Sequence, residues 1–281
     1  MSAQSLVKPL VSRQASFDFD DESVSTQIVV PAQVPPPVPA QPPAPLDYEL
    51  RVSSRARRMS LRVVHGRGLV VTIPKRYPRR DVPQAVESYR EWALEALADL
   101  DAKTPEIYRE WPPRRLDIAA TGERVLVVFQ SDGNANGDVP RGSIGGERYL
   151  VLSCDCDDRE AVAVAVAGWL RPIAKSHLTA LAARLAARHG VSYRRLSVRG
   201  QRSVWGSYSS SGTLSLNYKL LFLRPELVEY VVLHELAHTR YLDHSTAFWQ
   251  TLEAMMPGAR ALDAEIADAG QRVPPWLELA P

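Results

Sequence analysis

The sequence contains few cysteines, no long hydrophobic run and little net charge. Only Cys154 and Cys156 occur in 281 residues, and their separation is too short for a normal disulfide framework. No apolar run approaches the length of a membrane span, and the N-terminus lacks the basic and apolar regions of a secretory signal. A net charge of +2 provides no overall field that would attract nucleic acid. We therefore predict a cytoplasmic protein with free thiols and no membrane association.

Proline is abundant in one part of the chain. More than half of residues 31–45 are proline, a composition that favours extended polyproline conformation and cannot build a hydrophobic core. We predict that residues 1–45 form a disordered tail that acts as a spacer.

Histidine is concentrated in one short stretch. Three of the six histidines fall in the run His234-Glu235-Leu236-Ala237-His238 and at His244 shortly after it. On a helix, residues four apart lie on one face, so the imidazoles of His234 and His238 can reach one ion. This is the H-E-x-x-H pattern of zinc hydrolases. Glu235 cannot join them as a ligand from the same rotational position, but it can take a proton from a water molecule beside the metal.

The residues around this run favour a buried helix over a solvated one. The five-residue pattern alone also occurs by chance in other sequences. Histidines on helices often only cap the helix or form a hydrogen bond. Here Pro225 fits a first helical turn, and Glu226 complements the positive end of the helix. The apolar residues between Leu227 and Leu236 form a thick hydrophobic body. We therefore interpret the run as a metal site.

His244 becomes a third ligand only if the helix stops before it. A continuous helix would rotate His244 away from the other two histidines, so we predict that the helix ends after Tyr241 or Leu242. Asp243 and Ser245 are turn- and cap-forming residues, and a further helix is predicted to begin at residue 246.

Three imidazoles and a water molecule would form an open tetrahedral zinc site, the kind used in catalysis. The metzincin proteases have a glycine at the centre of the same five-residue gap, where this chain has Tyr241. The turn is therefore made differently, and we do not assign the chain to that group. If His244 is not a ligand, the downstream carboxylates Glu253 and Glu265 are the alternatives.

Hydrophobic periodicity predicts the other elements. A β-hairpin is predicted over 59–64 and 69–73, and a helix over 82–100. Strands are predicted at 115–119, 124–130, 148–153 and 195–199, with a loop over 131–146. A long helix is predicted over 159–189, ended by Gly190 and kinked or divided at Pro172.

The first hairpin lies in a strongly basic segment. Ten lysines and arginines occur between Arg51 and Arg80, with no acidic residue among them. Such a segment can bind nucleic acid or another anionic ligand. It can also consist of the outward residues of edge strands, where basic side chains oppose aggregation, and this interpretation is favoured.

The motifs resemble those of the YgjP-like metal-dependent hydrolases, a zincin family of metallopeptidases. The similarity lies in Trp205-Gly206-Ser207, in Leu216-Asn217, in the pentad and in the run that contains His244, Phe248 and Trp249. It is strong over 196–249, weaker from about residue 48, and absent from the first 45 residues.

The resemblance implies an α+β fold, with a mixed sheet packed on the metal helix and a β-rich basic subdomain before it. We therefore divide the chain into a tail over 1–45, a β-rich subdomain with one helix over 46–155, and a zincin-like catalytic domain over 156–281.

The resemblance also implies roles for individual residues. His234, His238 and His244 match the zinc ligands, and Glu235 matches the catalytic glutamate. Trp205, Ser207 and Asn217 match motif positions that are candidates for substrate binding, beside Gly206, which is expected to give the backbone freedom. The chain departs from the family pattern at Val204 and Tyr208, where arginine and cysteine are usual, and at Asp243, where asparagine is usual.

The leading hypothesis is a zinc metallopeptidase acting on a peptide or protein. An edge strand above the metal helix can align such a substrate by β-augmentation, and residues 213–217 are the predicted strand. One alternative is a nucleotide or phosphoanhydride hydrolase, with the phosphates held by Arg55, Arg57, Arg58 and Arg62. Another is a nucleic-acid-associated zinc protease.

Overall fold

The computed structural model describes residues 14–18, 27–30, 44–130, 141–144, 147–201 and 204–280. Within these ranges the chain forms three four-stranded sheets and six α-helices. The strands are β1 (Gln14–Asp18), β2 (Gln27–Val30), β3 (Tyr48–Ser53), β4 (Met59–Val64), β5 (Gly68–Pro74), β6 (Arg115–Ile118), β7 (Glu123–Phe129), β8 (Arg141–Ile144), β9 (Glu147–Leu152), β10 (Arg195–Arg199), β11 (Val204–Ser209) and β12 (Thr213–Asn217). The helices are α1 (Val82–Glu87), α2 (Arg90–Lys103), α3 (Arg159–His189), α4 (Pro225–Ala237), α5 (Thr246–Met255) and α6 (Ala259–Ile266).

The first sheet has the order β2-β4-β5-β3 and contains the predicted hairpin. Alternate residues of β4 are buried, as the period of two in its sequence requires. The buried face packs with α1 and α2 into a small hydrophobic core of its own. The single helix predicted over 82–100 is two helices, because the chain turns at Ser88 and Tyr89 between them.

The basic side chains of this sheet are mostly not on its strands. Of the ten, only Arg51 and Arg62 lie in strands, and β4, which carries Arg62, has neighbours on both sides. The edge-strand interpretation is therefore wrong for most of them. Seven exposed cations lie in the β3–β4 loop and directly after β5, at one end of the sheet, because Ser53 is paired with Pro74 and Ser60 with Thr72. They are Arg55, Arg57, Arg58, Lys75, Arg76, Arg79 and Arg80.

The second sheet has the order β6-β7-β9-β8 and shares a core with the helices that follow it. Its strand β8 lies within the segment predicted as a loop. The two hydrophobic clusters meet between Ala93 and Tyr108, and the domain boundary predicted at residue 155 stays a prediction.

Helix α3 runs unbroken through the larger core. The side chain of Asp158 accepts a hydrogen bond from the backbone N–H of Ala161 at its start. Gly190 ends it in the left-handed conformation, with φ of 62°. Pro172 does not divide the helix, so the predicted division at this residue is wrong. Within the described residues, no helix is both long and apolar enough to span a membrane.

The third sheet has the order β1-β11-β12-β10 and packs on α4. It is mixed, because β10 is parallel to β12 while β11 is antiparallel to both β12 and β1. This arrangement of a mixed sheet on the histidine-bearing helix is the one expected. Strand β12 is paired on both sides, so the prediction that residues 213–217 form a substrate-aligning edge is wrong.

Two segments of the predicted disordered tail form strands. Strand β1 pairs with β11, and β2 pairs with β4 of the first sheet. The prediction of a disordered tail does not hold for these two segments, and the rest of residues 1–43 lies outside the described ranges. The composition did not predict these two strands, because pairing at the edge of a sheet satisfies the backbone hydrogen-bonding groups and needs no apolar run in the added strand.

Candidate metal centre

Helix α4 carries the histidine pentad into the core. Pro225 occupies its first turn, and Arg224 just before it forms ion pairs with Glu226 and Glu265. Almost every side chain from Leu227 onward is buried, including those of His234 and Glu235. A hydrophobic helix that is covered on all sides thus holds two polar residues at its C-terminal end.

The helix ends earlier than predicted. Its last helical residue is Ala237, and His238 is the C-cap. The N–H of Thr239 bonds to the carbonyl oxygen of Leu236 at 3.0 Å, a tight turn that ends the helical ladder. No glycine is needed, because hydrogen bonds over three residues make the turn. The helix thus ends four or five residues before the predicted end at Tyr241 or Leu242.

The following loop returns His244 to the other two histidines. Asp243 accepts a hydrogen bond from the N–H of Ser245 at 3.3 Å, as expected of a turn residue. Helix α5 begins at Thr246, as predicted, although the side chain of Ser245 makes no capping hydrogen bond.

Three imidazoles converge at this point. The Nε2 atoms of His234 and His244 lie 3.0 Å apart, and one ligand atom from each of the three histidines lies within 4.8 Å of the others. Two nitrogens that share a tetrahedral zinc ion at the usual bond length would be about 3.3 Å apart. His234 and His238 are buried while His244 is exposed, so the cluster faces solvent on one side. The donor set and its spacing fit a metal ion.

The second ring nitrogen of His238 is fixed by the backbone. Its Nδ1 lies 2.7 Å from the carbonyl oxygen of Tyr241, which can only accept, so Nδ1 carries the proton. Nε2 is then the unprotonated nitrogen, the form of imidazole that can bind a metal. This Nε2 is buried and has no hydrogen-bond partner among the described residues, as expected of an atom reserved for a metal.

His234 is held by two linked side-chain hydrogen bonds, which were not predicted from the sequence. The hydroxyl of Tyr230 donates to Asp263 at 2.7 Å, and its oxygen lies 3.4 Å from Nδ1 of His234. Because the hydroxyl proton is used for Asp263, Nδ1 of His234 is the donor to Tyr230. The spacing of four residues between Tyr230 and His234 could have revealed one of these two bonds, since both lie on one helix face.

Phe248 forms an aromatic wall behind the cluster. Its fully buried ring stacks on His238 at 4.5 Å between centroids and lies 4.9 Å from both His234 and His244. Trp249 lies farther out, 6.4 Å from the ring of His244. Rigid packing against Phe248 restricts the imidazoles to the orientation in which their free nitrogens converge.

Burial keeps His234 and His238 neutral. Loss of solvation lowers the pKa of His234 well below its usual value, and His238 and His244 lower it further. Burial likewise lowers the pKa of His238 to about 4, although its bond to Tyr241 acts in the opposite direction. Neutral imidazole is the form that binds metal, so the site is prepared for an ion at pH 7.

Glu235 lies between the metal cluster and β11. Its side chain is fully buried, and a β-carbon added to Gly206 would lie 2.8 Å from its Cγ and 3.0 Å from its Oε1. Gly206 does not adopt a positive φ. The expectation that this glycine gives backbone freedom is therefore wrong, and its missing side chain is what admits Glu235.

The three predicted substrate-binding residues lie in the sheet above α4, and all are buried. Asn217 donates to the carbonyl oxygens of Gln201 and Val204 at 2.7 and 2.9 Å and accepts from the N–H of Lys219. Its amide thus fixes the start of β11. Direct substrate contact by Trp205, Ser207 or Asn217 stays a prediction.

The two carboxylates considered as alternative metal ligands have other partners. Glu253 accepts the backbone N–H groups of Gly258 and Arg260 at 2.9 and 3.0 Å, and Glu265 is paired with Arg224. Neither belongs to the three-histidine cluster.

Comparison with known proteins places this site in a family. The model of the family described as "YgjP-like, metallopeptidase domain" matches residues 57–269, a range that includes all three histidines and Glu235. No curated protein matches the chain. Among solved structures, the metallopeptidase zymogen of Pyrococcus abyssi abylysin is 26% identical, over 32% of this chain and 90% of that one, with a TM-score of 0.29. A TM-score this low does not establish a shared fold.

Proposed function

The chain belongs to the YgjP-like metallopeptidase family, and on that premise we propose that it is a zinc-dependent peptidase in which Glu235 is the general base. His234, His238 and His244 hold the ion through their ring nitrogens. Location in the cytoplasm stays a prediction from the sequence.

One observation carries the proposal. Three imidazoles converge on one point at the C-terminal end of α4, and His238 presents a buried nitrogen that has no protein partner among the described residues. A structural histidine cluster would satisfy that nitrogen with a hydrogen bond. Three protein ligands leave a fourth position open, which is the arrangement of catalytic zinc sites.

The chain's own residues supply the proton transfers. Zinc bound there would polarise the scissile carbonyl and make a water molecule more acidic. Glu235 accepts the proton from the attacking water and passes it to the leaving amide nitrogen. The surrounding core excludes bulk water from the carboxylate, and the close approach of Gly206 to it confines its position.

Peptide hydrolysis is favoured over phosphoanhydride hydrolysis by the placement of charge. A nucleotide hydrolase would need cationic side chains close to the metal to hold phosphates. Arg55, Arg57 and Arg58 instead lie in the β3–β4 loop of another sheet, which packs on a separate hydrophobic core.

The test is the variant Glu235→Gln, with Glu229→Gln as the matched control on the same helix. Both changes remove one carboxylate and keep the side-chain size. Turnover of fluorescein-labelled casein by the zinc-loaded protein should fall by about 100-fold or more in Glu235→Gln, while zinc content and melting temperature stay unchanged. Glu229→Gln should cleave at the native rate. Near-normal cleavage by Glu235→Gln would show that the pentad only binds metal.

A further inference from the structure

Strand β11 is the strand of the third sheet that lies against the candidate base. Its residue Gly206 is so close to Glu235 that a side chain there would collide with the carboxylate. On its inner side, β11 is hydrogen-bonded to β12, with Gly206 opposite Leu216. The other side of β11 is the position from which an extended polypeptide could pair with the sheet while passing beside Glu235.

That position is occupied by the chain's own N-terminal segment. Strand β1 runs antiparallel to β11, with Ser16 opposite Ser207 and Phe17 opposite Gly206. The register then shifts, so that Asp18 is opposite Val204, and such a bulge is common beside active sites. The backbone of β1 thus runs along β11 beside Gly206, the residue that contacts Glu235.

The segment is short and is tethered close by. Strand β1 is the outermost strand of its sheet and has five residues. The next strand, β2, pairs with β4 in the first sheet, so few residues separate the two anchored segments. A short tether gives an effective concentration in the millimolar range. Five residues of edge pairing are therefore enough to occupy the site in cis, yet weak enough to be displaced.

We propose that Gln14–Asp18 is a built-in competitor for the outer edge of β11, which binds extended polypeptides by strand addition. The full chain is then self-blocked until another polypeptide displaces β1 or β1 is released. The effect of this competition on catalysis rests on the proposed peptidase function, because displacement of β1 would expose the edge of β11 beside Glu235. A strand that only protected the edge against aggregation would not compete with a peptide for a site.

The test uses the full chain with Ser16→Pro/Phe17→Pro. Adjacent residues of a strand direct their N–H groups to opposite sides, so one of the two prolines removes a hydrogen bond to β11 whatever the phase of the ladder. The matched control, Ser16→Thr/Phe17→Tyr, changes the same positions to residues that favour strands.

Two measurements on metal-free protein need no catalysis. Amide hydrogen exchange of Val204–Ser209 should accelerate by about tenfold or more in the proline variant and stay at the native rate in the control. A fluorescein-labelled peptide of residues 12–20 should bind the proline variant at least about tenfold more tightly than it binds the native chain or the control. Equal exchange in all three proteins, or equal peptide binding, would overturn the proposal.

A third measurement links the edge to activity. With zinc, the proline variant should cleave fluorescein-labelled casein about tenfold faster than the native chain, and the labelled peptide should inhibit it. Equal and measurable cleavage by the native chain and the proline variant, or self-cleavage within residues 14–18 of the native chain, would show that β1 is no competitor. If no variant cleaves casein but exchange and peptide binding behave as expected, the peptidase function fails and the competition for β11 stands.

Discussion

At the scale of single residues, the histidine run shows what spacing alone can reveal. The pair His234 and His238 could be predicted because a helix places residues four apart on one face. The position of His244 depended on where the helix stopped, and the tight turn after Ala237 has no glycine or proline to announce it. The role of Gly206 could not be predicted at all, because it follows from contact with a residue of another element.

The first residue-scale prediction concerns His244. Replacing it with alanine should weaken zinc binding by more than about 100-fold, beyond the usual effect of outer partners of a metal site, because one of three imidazole ligands is lost. Zinc affinity can be measured by competition with a chromophoric chelator, with His177→Ala on α3 as the control. Native affinity in the His244→Ala protein would remove this residue from the ligand set.

The second residue-scale prediction concerns the contact between Gly206 and Glu235. A methyl group at residue 206 would lie 2.8 Å from Cγ of Glu235, so Gly206→Ala must displace the carboxylate or the strand. We expect casein cleavage to fall by about tenfold or more, with zinc content unchanged. Gly168→Ala is the control, because nothing lies within 4 Å of the added methyl group. Equal activity of both variants would contradict the assigned contact.

At the scale of elements, the strongly patterned segments were predictable and the paired edges were not. Helix α3 has the predicted bounds because its apolar period is long and Asp158 and Gly190 mark its ends. Strand β1 was missed because a strand added to an edge is held by backbone hydrogen bonds, which leave no signature in side-chain composition. Strand β8 was missed inside a segment rich in glycine and asparagine for the same reason.

The element-scale prediction tests the link between α4 and α6. Tyr230→Phe removes the hydroxyl that joins Asp263 to Nδ1 of His234. Zinc affinity should fall by about 10- to 100-fold, the usual effect of losing an outer partner of a metal ligand. The unfolding free energy should also fall by about 1–3 kcal/mol, because the partly buried carboxylate of Asp263 loses its donor. Tyr193→Phe, near β10, is the control, and unchanged zinc affinity in Tyr230→Phe would exclude the link.

At the scale of the whole molecule, burial of the clustered histidines couples stability to pH. Burial lowers the pKa of His238 to about 4 from an unfolded value of 6.5, so the unfolded chain takes up its proton first as the pH falls. The metal-free protein should therefore lose stability from about pH 6.5 downward, by about 2 kcal/mol at pH 5 from this residue. Thermal unfolding in EDTA at pH 7.5 and 5.0 measures the loss, which should be smaller in His238→Asn. An equal loss in both proteins would contradict the shift.

The predicted division of the chain into subdomains stays a prediction, but the partners of one sheet could not be predicted. The sheet β6-β7-β9-β8 was grouped with the basic hairpin because both are β-rich, yet its buried residues belong to the core of α3 and α4. Sequence periodicity reports which face of a strand is buried but not which partner covers it.

The cluster of cations at one end of the first sheet concentrates positive charge in one place on the molecule. Seven of the 34 basic side chains of the chain lie there, so the other 27 are outnumbered by the 32 acidic ones. The net charge of +2 is thus the sum of a positive end of the first sheet and a negative total for the other residues. The field near the positive end is larger than the net charge indicates.

Such a concentration of positive charge should orient the protein on charged surfaces. At the pH of zero net charge, the native chain should still be retained on a sulfonate resin through its positive end. Arg57→Glu/Arg58→Glu should abolish this retention, whereas Lys175→Glu/Arg184→Glu, exposed on α3, changes the net charge equally and should elute later. Elution of the two variants together would show that net charge alone governs how this protein meets a surface.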